Sequence, residues 1–249
     1  MRVAVTGTTG RVGAALARQL AARYEVIPLP RNVCDLADSE SLSRTLESLD
    51  CEVFINPAAI TSLEACEDDP RLAMRVNSAA PGKIALWAAE HGIRMIHFST
   101  DYVFDGKRPG LHVEAEPAAA VNAYGRSKLA GERAVLAHPG HLVLRVSWVF
   151  GPEKPSFIDH VIASARAGQP LAAVADKWSL PTFTTDLATW VEGLLETDAC
   201  GVLHACNPGE PVSWHGMATE AVREMLACGA IAEAPDIAEE TLAGMPAFR

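Results

Sequence analysis

Nowhere do apolar side chains run unbroken for the ~18 positions that a membrane-spanning helix needs. The opening MRVAVTGTTG also lacks the basic flank and apolar stretch of an export signal. The expectation is therefore a cytoplasmic protein with no membrane partner. Cysteine is sparse: six residues, at positions 34, 51, 66, 200, 206 and 228, with no CxxC pair, read as reduced thiols rather than a disulfide framework. None of the eight histidines falls into an HExxH or paired-ligand spacing, so no catalytic metal is expected. His97, inside the apolar stretch Ile93 to Phe98, reads as a packed core residue. Basic charge is short as well, 21 Lys and Arg against 31 Asp and Glu, and the net charge of −10 repels a phosphate backbone. Nucleic acid is thus excluded as the expected partner. There is no internal repeat, low-complexity tract or Gly/Ser linker.

What is present is an ordinary globular composition, 49% apolar and 21% charged, over 249 residues. Against a domain prior of ~150 residues, that length fits one large α/β domain or a domain with a small lobe. Short apolar runs alternate with stretches of helical period, which predicts β-α units and a mostly parallel sheet. Strands are expected at Val3 to Val5, Glu25 to Leu29, Val53 to Asn56, Arg94 to Ser99 and His141 to Val146. Helices are expected at Arg11 to Arg23, at Ser39 to Leu49 behind a serine cap, within Pro70 to His91, and at Asn122 to Ala137. The connection from Thr100 to about Val121, with Gly106, Pro109, Gly110 and Pro117, is long enough to suggest a functional loop. Beyond Pro152 the pattern loosens into helices at Ser156 to Ala167, Thr185 to Glu196 and Trp214 to Ala227, with strands near Leu171 to Val174 and Val202 to Ala205. The expected division is a dinucleotide-binding domain over 1–150 and a smaller, interleaved substrate lobe over 151–249.

Thr6-Gly7-Thr8-Thr9-Gly10-Arg11-Val12-Gly13 lies between the first strand and the first helix. Glycines there let the backbone turn sharply and approach a pyrophosphate at the positive helix end, so Gly7, Thr9, Gly10, Arg11 and Val12 are candidate dinucleotide contacts. At the end of the second strand, Leu29-Pro30-Arg31 offers no carboxylate for a ribose 2′-hydroxyl. Arg31, with Arg11 as a second cation, favours NADP over NAD, and NAD stays open. Asp35 and Leu36 fall where the adenine would lie, though Asp35 equally suits a simple turn. Tyr124 and Lys128 are four residues apart, hence on one helix face. A nearby ammonium lowers the pKa of a phenol toward the useful range, which makes Tyr124 a candidate general acid. Ser99-Thr100, ending the fourth strand, supplies a hydroxyl that can polarise a substrate oxygen.

These three ordered motifs, TGTTGRVG, STDYVFDG over 99–106, and Tyr124-Gly-Arg-Ser-Lys128, resemble the extended short-chain dehydrogenase/reductase superfamily. Within it, Asn56-Pro-Ala-Ala59, Val76-Asn77, Lys128-Leu-Ala-Gly-Glu132, Arg145-Val-Ser-Trp-Val-Phe-Gly151, Pro181-Thr182 and Asp186-Leu-Ala188 resemble the dTDP-4-dehydrorhamnose reductase family over nearly the whole chain. The resemblance implies a Rossmann-like doubly wound parallel sheet with a small C-terminal substrate-binding lobe. It implies reduction of the C4 ketone of a nucleotide-linked 6-deoxysugar with NADPH, in dTDP-L-rhamnose formation. It assigns Tyr124 as proton donor, Lys128 as its modulator and a cofactor-ribose ligand, and Thr100 as the hydroxyl that orients the carbonyl. Asp101, Tyr102 and Trp148 then fall on the sugar, Thr61 on the nucleotide, Ala58 and Ala59 beside the cofactor, and Asn77 behind the active-site helix. A homodimer is the assembly the resemblance allows. Two departures stand out: Pro57, which removes an amide donor beside the cofactor, and an end at Met245-Pro-Ala-Phe-Arg249, where the family continues through a further helix, implying a truncated lobe. Two alternatives stay open: an epimerase or dehydratase of the same superfamily, disfavoured because Tyr102 and not a second acid follows Asp101, and a non-catalytic NADP-binding regulatory subunit.

Overall fold

The computed structural model describes residues 1–108 and 110–244; Pro109 of the long loop and the chain end at 245–249 lie outside the described residues. The first half runs β1 (Arg2–Thr6), α1 (Arg11–Leu20), β2 (Glu25–Leu29), α2 (Ser39–Ser48), β3 (Val53–Asn56), α3 (Leu63–Asp68), α4 (Pro70–Met74), α5 (Ala80–Glu90), β4 (Arg94–Thr100) and α6 (Ala123–Leu136). There follow β5 (Leu142–Val146), β6 (Val149–Phe150), α7 (Phe157–Arg166), β7 (Leu171–Val174), β8 (Trp178–Ser179), β9 (Thr182–Phe183), α8 (Thr184–Leu195), β10 (Gly201–His204), β11 (Val212–Ser213), α9 (Trp214–Ala227) and β12 (Ile237–Glu240).

Six strands form one sheet in the order β2-β1-β3-β4-β5-β10, every pairing parallel. Because successive side chains point to opposite faces, each strand feeds two cores. Val3, Val5, Ile55, Ile96, Leu142 and Leu144 pack under α1 and α8, while Ala4, Phe54, Met95 and Val143 pack under α2, α5 and α6. Strands buried on both faces account for the near-continuous apolar runs in the sequence. The strand order reverses between β1 and β3, and the glycine-rich turn leaves β1 at that switch point, the place where open α/β sheets take ligands.

The sixth strand and α8 come from beyond residue 150, so the main body draws on both sides of that position. The lobe is made of two separate stretches. Parallel β7 and β12 and the packed pair α7 and α9 bury Val161, Leu171, Ala218, Val222 and Met225, and antiparallel β8 and β11 add a second short pairing. Among the described residues no helix is long and apolar enough to cross a membrane, and the six cysteines are free thiols.

Two local expectations are corrected, and one short helix is added between them. Asp38, not a serine, caps α2: its Oδ1 accepts from the amides of Glu40 at 2.9 Å and Ser41 at 3.3 Å, a carboxylate at the positive helix end. The acidic run from Glu64 forms the short α3, with Ser62 as its cap. The long helix expected after Pro70 is broken by a π turn over Arg75–Ala79, where the Ala80 amide reaches the Arg75 carbonyl. The cause is Pro81, which has no amide to give to the carbonyl of Asn77 four residues earlier.

Candidate active site

The turn after β1 is tightly self-bonded, the Gly7 amide to the Leu29 carbonyl at 3.0 Å and the Gly10 amide to the Gly7 carbonyl at 2.8 Å. A side chain at Gly13 would run into that Gly7 carbonyl, so only glycine lets α1 press onto the turn. Helix α1 starts at Gly10 without a capping side chain and with no acid in its first turn, which leaves its first amides for an acceptor from outside the chain. This fits a dinucleotide pyrophosphate held by Gly7, Thr9, Gly10 and Val12. Ala58 lies against Gly7 and gives its amide to Thr6 Oγ1 at 3.3 Å, Ala59 follows it, and Thr61 is exposed beyond them. Asp35 accepts the Ala37 amide at 2.9 Å and shapes a turn, and Leu36 is buried in the core beside α2.

Of the two arginines expected at a 2′-phosphate, Arg31 extends from the end of β2 with its side chain 80% exposed and a 3.4 Å contact to Asp35. Arg11 does not join it. Its guanidinium donates to the carbonyls of Val149 at 2.9 Å, Pro155 at 2.7 Å and Lys154 at 3.2 Å. Val149 belongs to β6 and Lys154 and Pro155 to the turn that follows it, and the arginine fork reaches all three carbonyls. Arg11 therefore stitches the glycine turn to the segment that enters the lobe.

Tyr124 and Lys128 occupy the first turns of α6, both buried, and Asn122 caps that helix through the Gly125 amide at 2.7 Å. Side chains at Gly125 and Gly131 would collide with the carbonyls of Tyr102 and Asn77, so α6 lies directly on the backbone on both sides. Burial first, then the Asp101 charge, push the Tyr124 phenol above its ordinary range, and a hydrogen bond with Thr100 pulls the other way. Lys128 does not set the direction of this phenol, as its spacing suggested: desolvation does, and the group opposing burial is the Thr100 hydroxyl. Burial drives Lys128 itself down to about 8, with Glu132 and Cys66 resisting. The phenol is thus protonated and the amine mostly charged near neutrality.

Thr100 Oγ1 donates to Asp101 Oδ1 at 3.0 Å and accepts the Tyr102 amide at 3.2 Å, and Asp101 Oδ2 accepts from Ser147 at 2.7 Å. The Tyr102 ring stands edge-on to Tyr124 at 5.6 Å. Trp148 stacks on Trp214 at 5.2 Å and meets Phe157 at 5.7 Å. Its φ of 30° puts a bulky residue in the left-handed region, a strain characteristic of functional sites. It also lines an apolar cavity of about 220 Å³ between α7 and α9, with Pro181 and Met217.

Sequence reasoning missed three residues. Lys177, on the lobe, reaches the Tyr102 hydroxyl and lies 4.4 Å over the Tyr102 ring and 5.0 Å over Trp214, joining lobe to body. Trp214 was legible only as a helix start. His97 is buried as expected, but its ring nitrogens face Asn56 and Lys128. Asn77 clasps both backbone groups of Ile60 at 2.9 Å and donates to Ser127 Oγ at 3.0 Å, which ties the π turn, the loop after β3 and α6 together.

The family described as RmlD substrate binding domain matches residues 1–243. A dTDP-4-dehydrorhamnose reductase of Burkholderia thailandensis is 37% identical over 228 residues, covering 88% of this chain and 76% of the relative. A crystal structure of a dTDP-4-dehydrorhamnose reductase from Bacillus anthracis in complex with NADP superposes with a TM-score of 0.91 at 26% identity, over 99% of this chain and 86% of that one. The Clostridium acetobutylicum counterpart gives 0.90 at 28% identity with the same coverage. With the motifs in order along the chain and the parallel sheet beneath them, this chain belongs to the RmlD substrate binding domain family, within the extended short-chain dehydrogenases/reductases.

Proposed function

We propose that this chain is an NADPH-dependent reductase of the C4 ketone of a nucleotide-linked 4-keto-6-deoxysugar, acting as a dTDP-4-dehydrorhamnose reductase. The observation that carries the reading is the buried group of Thr100, Tyr124 and Lys128 at the end of β4, on the body that also bears the glycine turn. NADPH, when bound there, supplies the hydride. Tyr124 gives its proton to the ketone oxygen, and a phenol kept protonated by burial is ready to donate. Thr100 orients that oxygen by turning its one hydroxyl proton from Asp101 to the ketone, while the Tyr102 amide holds the threonine oxygen in place. The charged Lys128 supports the phenolate left behind. Lys177, Tyr102, Trp148 and the lobe around α7 and α9 receive the sugar nucleotide, whose charged diphosphate suits a lysine at that edge. The six free thiols support a reduced, cytoplasmic setting.

Both oxygens of Asp101 are engaged by hydroxyls, which favours reduction over an elimination that needs a free acid beside the threonine. The test is loss of NADPH absorbance with dTDP-4-dehydrorhamnose. Consumption stoichiometric with product separates net reduction from a recycled cofactor, and Tyr124→Phe lowers kcat by ~10²–10⁴ while binding NADPH normally. Wild-type consumption no faster than the variant's rejects the reading, and it favours a regulatory subunit if NADPH still binds tightly.

A further inference from the structure

A polar thread crosses three strands inside the core under α2, α5 and α6. Thr6 of β1, Asn56 of β3 and His97 of β4 are each buried to 1% or less, and Asn56 and His97 are register partners. Thr6 Oγ1 meets Asn56 Oδ1 at 2.6 Å, Asn56 Nδ2 meets His97 Nδ1 at 3.1 Å, and His97 Nε2 lies 3.4 Å from Lys128 Nζ. Apolar residues fill the neighbouring positions on the same face, and buried polar groups cost free energy unless each is bonded. Here each is, and the thread ends on the amine that stands one helical turn from Tyr124.

The thread can be drawn with two polarities. In the first, Asn56 Nδ2 donates to His97 Nδ1, the ring proton sits on Nε2, and Nε2–H meets the lone pair of a neutral amine. In the second, the amide is turned over: Nδ2 donates to Thr6 Oγ1, Oδ1 accepts from His97 Nδ1–H, and bare Nε2 accepts from the ammonium. Burial and the Lys128 charge both hold the imidazole neutral, as both arrangements require, and a charged amine fits only the second. The other titratable groups around the amine are Cys66 on α3 and, on α6, Tyr124 and Glu132, the last paired with Arg145.

Resting on the reductase reading above, we propose that His97, backed by Asn56 and Thr6, is a positioning residue for the reaction: it anchors the Lys128 amine and accepts a hydrogen bond from its charged form. The wild-type kcat then falls as pH rises through about 8, because the ammonium is lost. His97→Phe removes the acceptor, so the alkaline limb moves down by about one pH unit and kcat drops about twofold at pH 7 and about tenfold by pH 9, with KM for the sugar nucleotide within about twofold. His97→Gln, whose amide oxygen reaches the place of Nε2, restores most of both. A His97→Phe protein with wild-type NADPH affinity and melting, and with unchanged kcat and pH limb, overturns the proposal. Where that variant does not fold, ¹⁵N NMR of the wild-type imidazoles decides. The His97 nitrogens follow the Lys128 titration in wild type and lose that response in Lys128→Met, and nitrogens indifferent to that pH overturn it. The NMR arm needs no turnover, so failure of the reductase reading is told apart by the NADPH assay alone.

Discussion

At the end of β2 a guanidinium extends into solvent beside a proline, where the cofactor's adenosine ribose would come to rest if the glycine turn holds the pyrophosphate. Arg31 matches a 2′-phosphate in charge and fork geometry and has nothing to offer a bare 2′-hydroxyl as acceptor. Arg31→Ala is accordingly expected to raise KM for NADPH about tenfold or more and to leave KM for NADH nearly unchanged, as read from initial rates with each cofactor. An unchanged ratio would mean the phosphate is held elsewhere. The contrast with Arg11 marks the limit of a residue read from letters: both are arginines near the cofactor, and the sequence carries no sign that three carbonyls on 149–155 claim one of them. His97 is the same case, since an apolar neighbourhood in sequence does not reveal a lysine across the helix interface. Tyr124, Lys128 and Thr100 were legible because their chemistry depends on spacing and strand ends, which a sequence does record.

The helix α6 illustrates how an element is placed by what its surface omits. Gly131 lets it rest on the Asn77 carbonyl, to which Pro81 has no amide to give, and Asn77 locks that contact through Ser127. Gly131→Ala gains helix propensity, worth up to ~1 kcal/mol, but forces a methyl into that carbonyl, and overpacking of this kind costs ~1–3 kcal/mol. The net expectation is a lower denaturation midpoint, and a variant as stable as wild type would show that α6 can shift without strain. Elements with several turns or three or more apolar strand positions were readable from periodicity, among them β1 through β5, α1 and α6. The two-residue strands β6, β8, β9 and β11 are shorter than any period, and the π turn was signalled only by a proline in an otherwise helical run.

For the molecule as a whole, the parallel α/β architecture followed from alternating patterns, and the strand order did not. The order β2-β1-β3-β4-β5-β10 takes its last member from more than fifty residues beyond β5, a distance over which local patterning says nothing about neighbours. That return journey sets how the protein responds to being cut. The backbone passes between body and lobe three times, and the lobe's two stretches hold each other through β7 with β12, β8 with β11 and α7 with α9. The link between β10 and β11 is exposed at residues 208–210, a place where a protease can cut between body and lobe. Such a nicked protein should elute from a sizing column as a single full-mass species and fall into two fragments only in denaturant. Early release of a free C-terminal piece would mean that the braid of the two stretches is weaker than the shared packing describes.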